Sequence, residues 1–554
     1  MTAERLDAYH FYEQDWDSYE QLYDAFEWEV PETFNIAAYA CDRWADDKGR
    51  VALFGETPDG DTETYTFWQV RNAANQLANY LREQGVERGD RVGINAPQRP
   101  ETAISHLAIW KLGAVSVPLS TLFGPDAIQY RLDDAGAVAA VVDESNVENF
   151  REARDDLDDL DTLLALGDVT PRDDEAEFWS AIGDQSRSFD TVSTDADDDA
   201  LLIYTSGTTG NPKGVRHAHH VLLGHLTMFV TGVNNMEMSD ADVYWTPSEW
   251  AWIASLFNIL FTGLFFGRPV VANNTGPFDP EEAFEMVEKY GITGVFMPPT
   301  ALRMMMQVED PGQYDVDSLD CIVSGGESLG QTIVEWANDV FSGTAVHEGY
   351  GQTEANMLVG ECEALIESRE GSMGVASLGQ EVTILDAETA EETVEPGEVG
   401  EIAVRPDTPV HFKEYWNKPE KTESKFANGW MLTEDLGTVD EDGYFTFVSR
   451  KDDVIISAGY RIGPEEVEDS VAGHEAVADA AVIGVPDDER GEVPKAFVVL
   501  ADGYEASEEL QESIRQHVRD RLAKYEYPRE FEFLDELPKT ETGKVRRTSL
   551  REDE

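Results

Sequence analysis

Short apolar runs alternate with helix-length amphipathic segments along most of this chain, and this alternation constrains the fold more than any other feature. Arg91–Ile94, Ala114–Pro118 and Ala137–Val142 read as strands. A helix is expected around Thr102–Leu112, and earlier amphipathic helices at 33–47 and 67–84. The alternation resumes with strands at Leu201–Tyr204, Val270–Ala272, Ile292–Phe296 and Cys321–Val323, and with helices at Pro280–Tyr290 and Gly330–Val340. Strands separated by helices of this length indicate parallel α/β architecture. Residues 151–200, with PRDDEAE and STDADDD, read instead as an acidic, irregular excursion. Val382–Val448 is β-rich, with turn pairs at Pro396-Gly397 and Asp442-Gly443. Past Arg450 the pattern becomes a compact mixed unit, with strands near 478–485 and 495–500 and a helix at 507–523. The 554 residues exceed the roughly 250–300 that one core serves, so two domains are expected, 1–450 and 451–554.

The charge is extreme. There are 111 acidic residues against 41 basic ones, a net charge of −70. Such a surface repels nucleic acid and anionic lipid. The acid runs through the whole chain rather than in one tail, and 28 of the basic residues are Arg against 13 Lys. This composition reads as adaptation to concentrated salt, since at about 1 M the Debye length is only ~3 Å and surface carboxylates scarcely repel. Cys41, Cys321 and Cys362 are far apart, with no Cys-x-x-Cys pair, and suggest neither disulfides nor zinc. The opening MTAERLDAYHFYEQDWDSYEQ has no apolar stretch, which reads as no signal peptide and a cytoplasmic location. Eighteen uncharged residues between Glu249 and Arg268 reach the lower limit for a membrane span, but they include Ser255, Asn258 and two glycines. They read as a buried helix beside a ligand pocket, with no integral membrane segment.

The chemistry concentrates first at Tyr204–Gly214, YTSGTTGNPKG. A strand feeds a loop of glycines, hydroxyls and one lysine. Glycines let backbone N–H groups approach phosphate oxygens, Thr205, Ser206, Thr208 and Thr209 add donors, and Lys213 adds charge. The spacing from Gly207 to Lys213, with Pro212 between, excludes a Walker loop.

This string closely resembles the phosphate loop of the adenylate-forming superfamily, which contains acyl-CoA synthetases, luciferases and peptide-synthetase adenylation domains. Further motifs of that superfamily follow in order. Ser324-Gly325-Gly326-Glu327, with Ser328, resembles its adenine-side turn. Glu348-Gly349-Tyr350-Gly351-Gln352-Thr353-Glu354 resembles its adenine, α-phosphate and magnesium motif. Asp435 matches the ribose aspartate, Arg450 the ribose arginine, Asp452 the hinge and Lys544 the catalytic lysine. The opening ETFNIAAYACDRWAD resembles the medium-chain acyl-CoA synthetase branch, itself related to acetyl-CoA synthetase. The resemblance implies an α/β fold: a large N-terminal domain of two parallel-type α/β subdomains plus a β-rich barrel-like subdomain, and a small mobile α+β C-terminal domain. It implies ATP, Mg2+ and coenzyme A as participants, with Thr353, Glu354 and Lys544 catalytic and Glu354 the metal ligand. Thr205–Gly210, Lys213, Gly326–Ser328, Glu348–Gln352, Asp435, Arg450 and Arg461 would bind ATP, and Gly459, Tyr460 and Arg461 coenzyme A. The chain departs from the superfamily at Thr433-Glu434-Asp435, where Thr-Gly-Asp is usual, at Ser328 in place of proline, and at Thr542 in place of serine.

Three readings follow: a CoA ligase, a stand-alone adenylation enzyme that loads a carrier protein, and a nucleotide-binding protein without catalysis. Tyr460-Arg461-Ile462-Gly463-Pro464 resembles the CoA-ligase form, and the intact Lys213, Glu354, Asp435 and Lys544 oppose the third reading. Acetate-specific relatives have tryptophan at the position of Gly351, so this chain is expected to take longer acids, with Trp250, Trp252 and Gly351 around the acyl group. Short-chain and aromatic acids remain alternatives, and the chain is compatible with a homo-oligomer. His217, His219, His220 and His225 cluster after the loop without acidic or cysteine partners at ligand spacing. They read as cover for the following helix, with one near the acyl pocket, rather than as zinc ligands.

Overall fold

A computed structural model describes the chain except for residues 1–2, 58–59, 155–156, 206–210, 328, 392, 452, 458–459, 488–489, 502, 520, 523–526, 540–543 and 553–554. Two large, mainly parallel sheets form the N-terminal domain. In the first, Asp199–Thr205, Val115–Pro118, Arg91–Asn95, Ala137–Asp143, Thr162–Leu166 and Glu175–Glu177 lie side by side in parallel. Lys213–Ala218 and Glu414–Tyr415 extend the sheet antiparallel beyond Asp199–Thr205. In the second, Val51–Glu56, Val270–Asn273, Tyr244–Trp245, Gly294–Phe296, Cys321–Gly325 and Ala345–Gln352 are parallel. Asn356–Gly360 turns back antiparallel from the last of them.

One helix shows why these layers cohere. Pro100–Leu112 begins on proline, ends on Gly113 at φ +71° and is buried at every position. Its buried charges are paired, Glu101 with Arg99 and Lys111 with Asp42, and it contacts Arg91–Asn95 and Val115–Pro118 of one sheet and Val51–Glu56 of the other. It is the shared core between them.

The sequence expectations hold for most strands, and Pro280–Tyr290 is helical over the expected span. Three differ. The acidic 151–200 stretch is not a mere excursion, because Thr162–Leu166 is a fully buried strand of the first sheet, followed by an edge strand and the helix Phe178–Gly183. Four apolar residues in TLLAL outweigh the acid around them, which sits in the flanking loops. The helix expected at 33–47 is only Ile36–Ala40 plus a 3-10 turn, Asp42–Trp44, broken where Cys41 leaves helical geometry. The apolar 250–267 segment is buried, but its helix runs through a π-helical turn at Leu256–Leu260. Among the described residues no helix is long and apolar enough to cross a membrane.

The β-rich stretch forms a five-stranded antiparallel sheet that includes Trp430–Val439 and Phe445–Arg450. The small C-terminal domain pairs Ile455–Ser457, Tyr460–Ile462, Val477–Asp487, Gly491–Leu500 and Glu530–Leu534, with helices Pro464–Ala472, Glu508–Arg519 and Arg547–Glu552. Its two apolar clusters draw only on residues from Ile455 to Leu550, so it carries its own core. Cys41, Cys321 and Cys362 are all buried. Burial pushes each thiol up, that of Cys362 to about 12.

Candidate active site

The hairpin Ala345–Gln352/Asn356–Gly360 carries the site. The parallel strand Cys321–Gly325 ends beside it, and the two backbones touch: a Cβ on Gly325 would fall 2.3 Å from Gly349 O. Glycine at 325 allows this approach, and a Cβ on Gly349 would instead meet the Met357 side chain. Gly326 follows at φ +94° and is exposed. A Cβ there would lie 3.8 Å from Lys544 Cε and Nζ, so the C-terminal lysine is brought over the end of this strand. Glu327 turns away and accepts from Arg303 Nη1 at 3.3 Å, and the Ser324 hydroxyl is buried without a partner among the described residues.

The next contacts join the hairpin to the antiparallel sheet. Tyr350 OH donates to Asp435 Oδ2 at 2.7 Å. Asp435 pairs directly across its sheet with Arg450, whose Nε lies 3.9 Å from Asp435 Oδ1. Burial raises the Asp435 carboxyl above its ordinary range, while the Tyr350 hydroxyl and the charges of Arg450, Lys425 and Lys544 oppose that shift. Gln352 Nε2 donates to Thr433 O at 3.1 Å, tying the hairpin to the strand that bears Asp435.

Glu354 follows the hairpin turn and is 7% exposed. Its Oε1 accepts from Tyr415 OH at 2.5 Å and its backbone carbonyl from Phe412 N at 2.8 Å. His217 Nε2 donates to Thr353 O at 2.8 Å. Lys213 opens its strand opposite Thr205, with Nζ 4.6 Å from the centroid of the Tyr415 ring, and burial lowers its pKa. Tyr415 therefore joins the site, though it lies between motifs and no spacing in the sequence marks it.

The half-buried Glu348 is pushed up to about 8 by burial, by Glu361 and by Asp469 of the C-terminal domain. Gly330 closes the same seam, since a Cβ there would lie 3.8 Å from Asp469 Oδ1. At the junction of the domains a Cβ on Gly463 would fall 2.1 Å from Val448 O. The strand Tyr460–Ile462 sets Arg461 opposite Ile456. Ser206–Gly210, Ser328, Asp452 and Gly459 lie outside the described residues.

Gly351 and the two tryptophans expected around the acyl group have these surroundings. A Cβ on Gly351 would fall 1.8 Å from Asn356 O, because a bulge between Tyr350 and Gly351 draws the two hairpin strands together. Trp250 is 1% exposed and belongs to the main core, whereas Trp252 is half-buried and packs edge-on against Phe123 at 6.4 Å.

The four histidines have separate roles. His219 accepts from Ile36 N, His220 contacts Pro409 O and Asp197, and His225 pairs with Asn258 at 2.8 Å. Burial lowers His217, His219 and His225 to about 3, so these rings are neutral.

A lysine from a separate small domain, set over a glycine turn beside a Tyr–Asp–Arg cradle and a buried glutamate, defines an AMP-forming acid–thiol ligase. Residues 41–416 match the AMP-binding enzyme family and residues 466–544 its C-terminal domain, and the chain belongs to that family. Acetyl-coenzyme A synthetase of Bacillus subtilis (strain 168) is 35% identical, over 96% of this chain and 94% of its own length. A mitochondrial acyl-coenzyme A synthetase of Mus musculus is 34% identical over 98% and 94%. The crystal structure of an anthranilate CoA ligase in complex with anthranoyl-AMP superposes with a TM-score of 0.86 at 29% identity, covering 95% of this chain and 98% of that one.

Proposed function

We propose that this enzyme activates a medium-chain carboxylic acid with ATP and passes the acyl group to coenzyme A. A carboxylate oxygen of the acid bonds to the α-phosphorus of ATP while the bond to pyrophosphate breaks, giving acyl-AMP. The coenzyme A thiol then attacks the acyl carbonyl, loses its proton and expels AMP. The placement of Lys544 beside Gly326 carries this reading, because an ammonium there can stabilise the charge that develops between two anions. Asp435 and Arg450 suit a ribose diol, one accepting and one donating, and Lys213 suits the terminal phosphates.

Glu354 fits a magnesium ion. One carboxylate oxygen is fixed by Tyr415, which leaves the other as a hard oxygen donor in a site of low exposure. Magnesium bound there would neutralise part of the triphosphate charge. Asp452 is read as the pivot on which the C-terminal domain turns between half-reactions, and Gly459, Tyr460 and Arg461 as coenzyme A contacts. The charge of −70 is read as adaptation to concentrated salt.

The similarity to a mitochondrial acyl-coenzyme A synthetase supports acyl transfer to coenzyme A, and Gly351, where acetate-specific relatives have tryptophan, supports the medium-chain reading. The similarity to an anthranilate CoA ligase supports a second, aromatic one. The test is a panel of acetate, hexanoate, octanoate and benzoate, scored for AMP release with coenzyme A in molar KCl. Hexanoate or octanoate should give the highest kcat/KM. A preference for benzoate would replace the chain-length reading, and AMP release without any thioester would point to a carrier-protein substrate.

A further inference from the structure

Lys213 and Glu354 come from different parts of the chain and carry opposite charges. In a buried setting two such groups tend to pair and cancel. Here each is engaged by the same residue instead. Tyr415 is 1% exposed and sits at the edge of the first sheet, across from Val215. Its hydroxyl donates to Glu354 Oε1 at 2.5 Å, and its ring lies 4.6 Å from Lys213 Nζ. The two contacts use different parts of the side chain, the polar tip and the π system. The tyrosine is itself fixed: Phe412 packs on its ring at 4.9 Å and its N–H donates to Thr422 Oγ1 at 2.9 Å. The segment grips Glu354 a second time through Phe412 N.

An aromatic ring attracts an ammonium without neutralising it, because the ring carries no formal charge. A phenol hydroxyl orients a carboxylate and leaves its charge in place. We propose that Tyr415 is a positioning residue that holds Lys213 and Glu354 at separate places on one side chain, so that the ammonium is presented to phosphate and the carboxylate to the metal without a close ion pair to break first. This rests on reading Lys213 as a phosphate contact and Glu354 as the magnesium ligand.

The two halves of the side chain separate by substitution. Tyr415→Phe deletes the hydroxyl and keeps the ring under Lys213, whereas Tyr415→Leu removes both. In molar KCl, metal-free ATP binding is measured by calorimetry and magnesium is then titrated into the ATP-bound protein, with melting temperature as a check on folding. Tyr415→Phe should raise the magnesium concentration for half-saturation about tenfold, the worth of one hydrogen bond to a charged group, with metal-free ATP affinity unchanged. Tyr415→Leu should in addition weaken metal-free ATP binding about three- to tenfold, the range of a partly desolvated cation–π contact. Equal loss of both affinities in the two variants, or a lower melting temperature with neither affinity changed, would overturn the proposal. Glu354→Gln and Lys213→Ala separate this from failure of the underlying reading. If Glu354→Gln leaves the magnesium titration in place, or Lys213→Ala leaves ATP binding in place, the site assignment is wrong and the role of Tyr415 falls with it.

Discussion

Lys451 and Asp453, two residues apart, are fastened to different domains. Lys451 N donates to Glu434 O at 2.8 Å and its Nζ pairs with Glu401 at 2.7 Å, both in the N-terminal domain. Asp453 is 8% exposed and pairs with Arg551 at 2.8 Å and Arg547 at 3.5 Å, both on the last helix. Asp452, proposed above as the pivot, lies between them in the sequence. Asp452→Pro, which fixes φ near −65°, should let the acyl-adenylate form while the transfer to coenzyme A slows. Rapid-quench measurement of each half-reaction checks this, and unchanged transfer would move the pivot elsewhere.

Lys544→Ala should abolish adenylation and spare thioester formation from supplied acyl-AMP. The lysine reaches Gly326 from the other domain, where it can act only while that domain is docked. Loss of one such donor costs about 10²–10³ in rate. Equal loss in both half-reactions would remove its assigned role.

Docking should weaken as pH rises. Burial is the main cause that pushes Glu348 and Glu465 up from 4.5 to about 8. Glu348 also faces Glu361 and Asp469, while Glu465 faces Glu468, Asp469 and Asp435, with Arg547 opposing. A raised carboxyl pKa means that the docked form prefers the proton. Its contribution is therefore full below about 4.5 and is lost as pH climbs to about 8. An inter-domain fluorescence distance should lengthen across that window in the wild type, and Glu465→Gln should flatten the response.

Glu434 stands at φ +65°, in the left-handed region. This accounts for the glycine that the superfamily usually has there. Its carboxylate pairs with the buried Lys425 at 3.2 Å, which gives the glutamate a compensating contact. Glu434→Gly and Glu434→Ala both lose that pair, and only alanine keeps the strain. The glycine variant should be more stable than the alanine variant by about 1 kcal/mol in denaturant unfolding.

Dilution of salt should destabilise the protein. At about 0.01 M the Debye length is ~30 Å, so the acidic residues repel across the surface. A melting temperature that stays flat from dilute buffer to molar KCl would refute the reading of the −70 charge.

The parallel architecture was legible because its strands are apolar runs bounded by turns, as at Ala137–Asp143. Thr162–Leu166 escaped because composition over fifty residues masked four apolar ones. Motif order pointed to Asp435, Arg450 and Lys544, and the fold brings them to one seam. Tyr415 was invisible, since its role depends on a strand pairing with Val215 that no local pattern encodes. Gly351 is a related case: the sequence shows an absent side chain, and the register with Asn356 shows the carbonyl that a side chain there would meet. Gly351→Ala already places a carbon against that carbonyl, so the effect of a bulky residue there on chain length has to be judged beside the alanine variant.

Cys41, Cys321 and Cys362 have a practical consequence. Each is sealed in a core and held as a neutral thiol. Maleimide reagents react with exposed thiolates, so the folded native chain offers them no target. A cysteine introduced on the outer face of each domain would then be the sole point of attachment there. A donor–acceptor dye pair could be installed without first stripping the chain of its natural thiols, and the domain swing proposed about Asp452 could be tested in the otherwise unaltered enzyme.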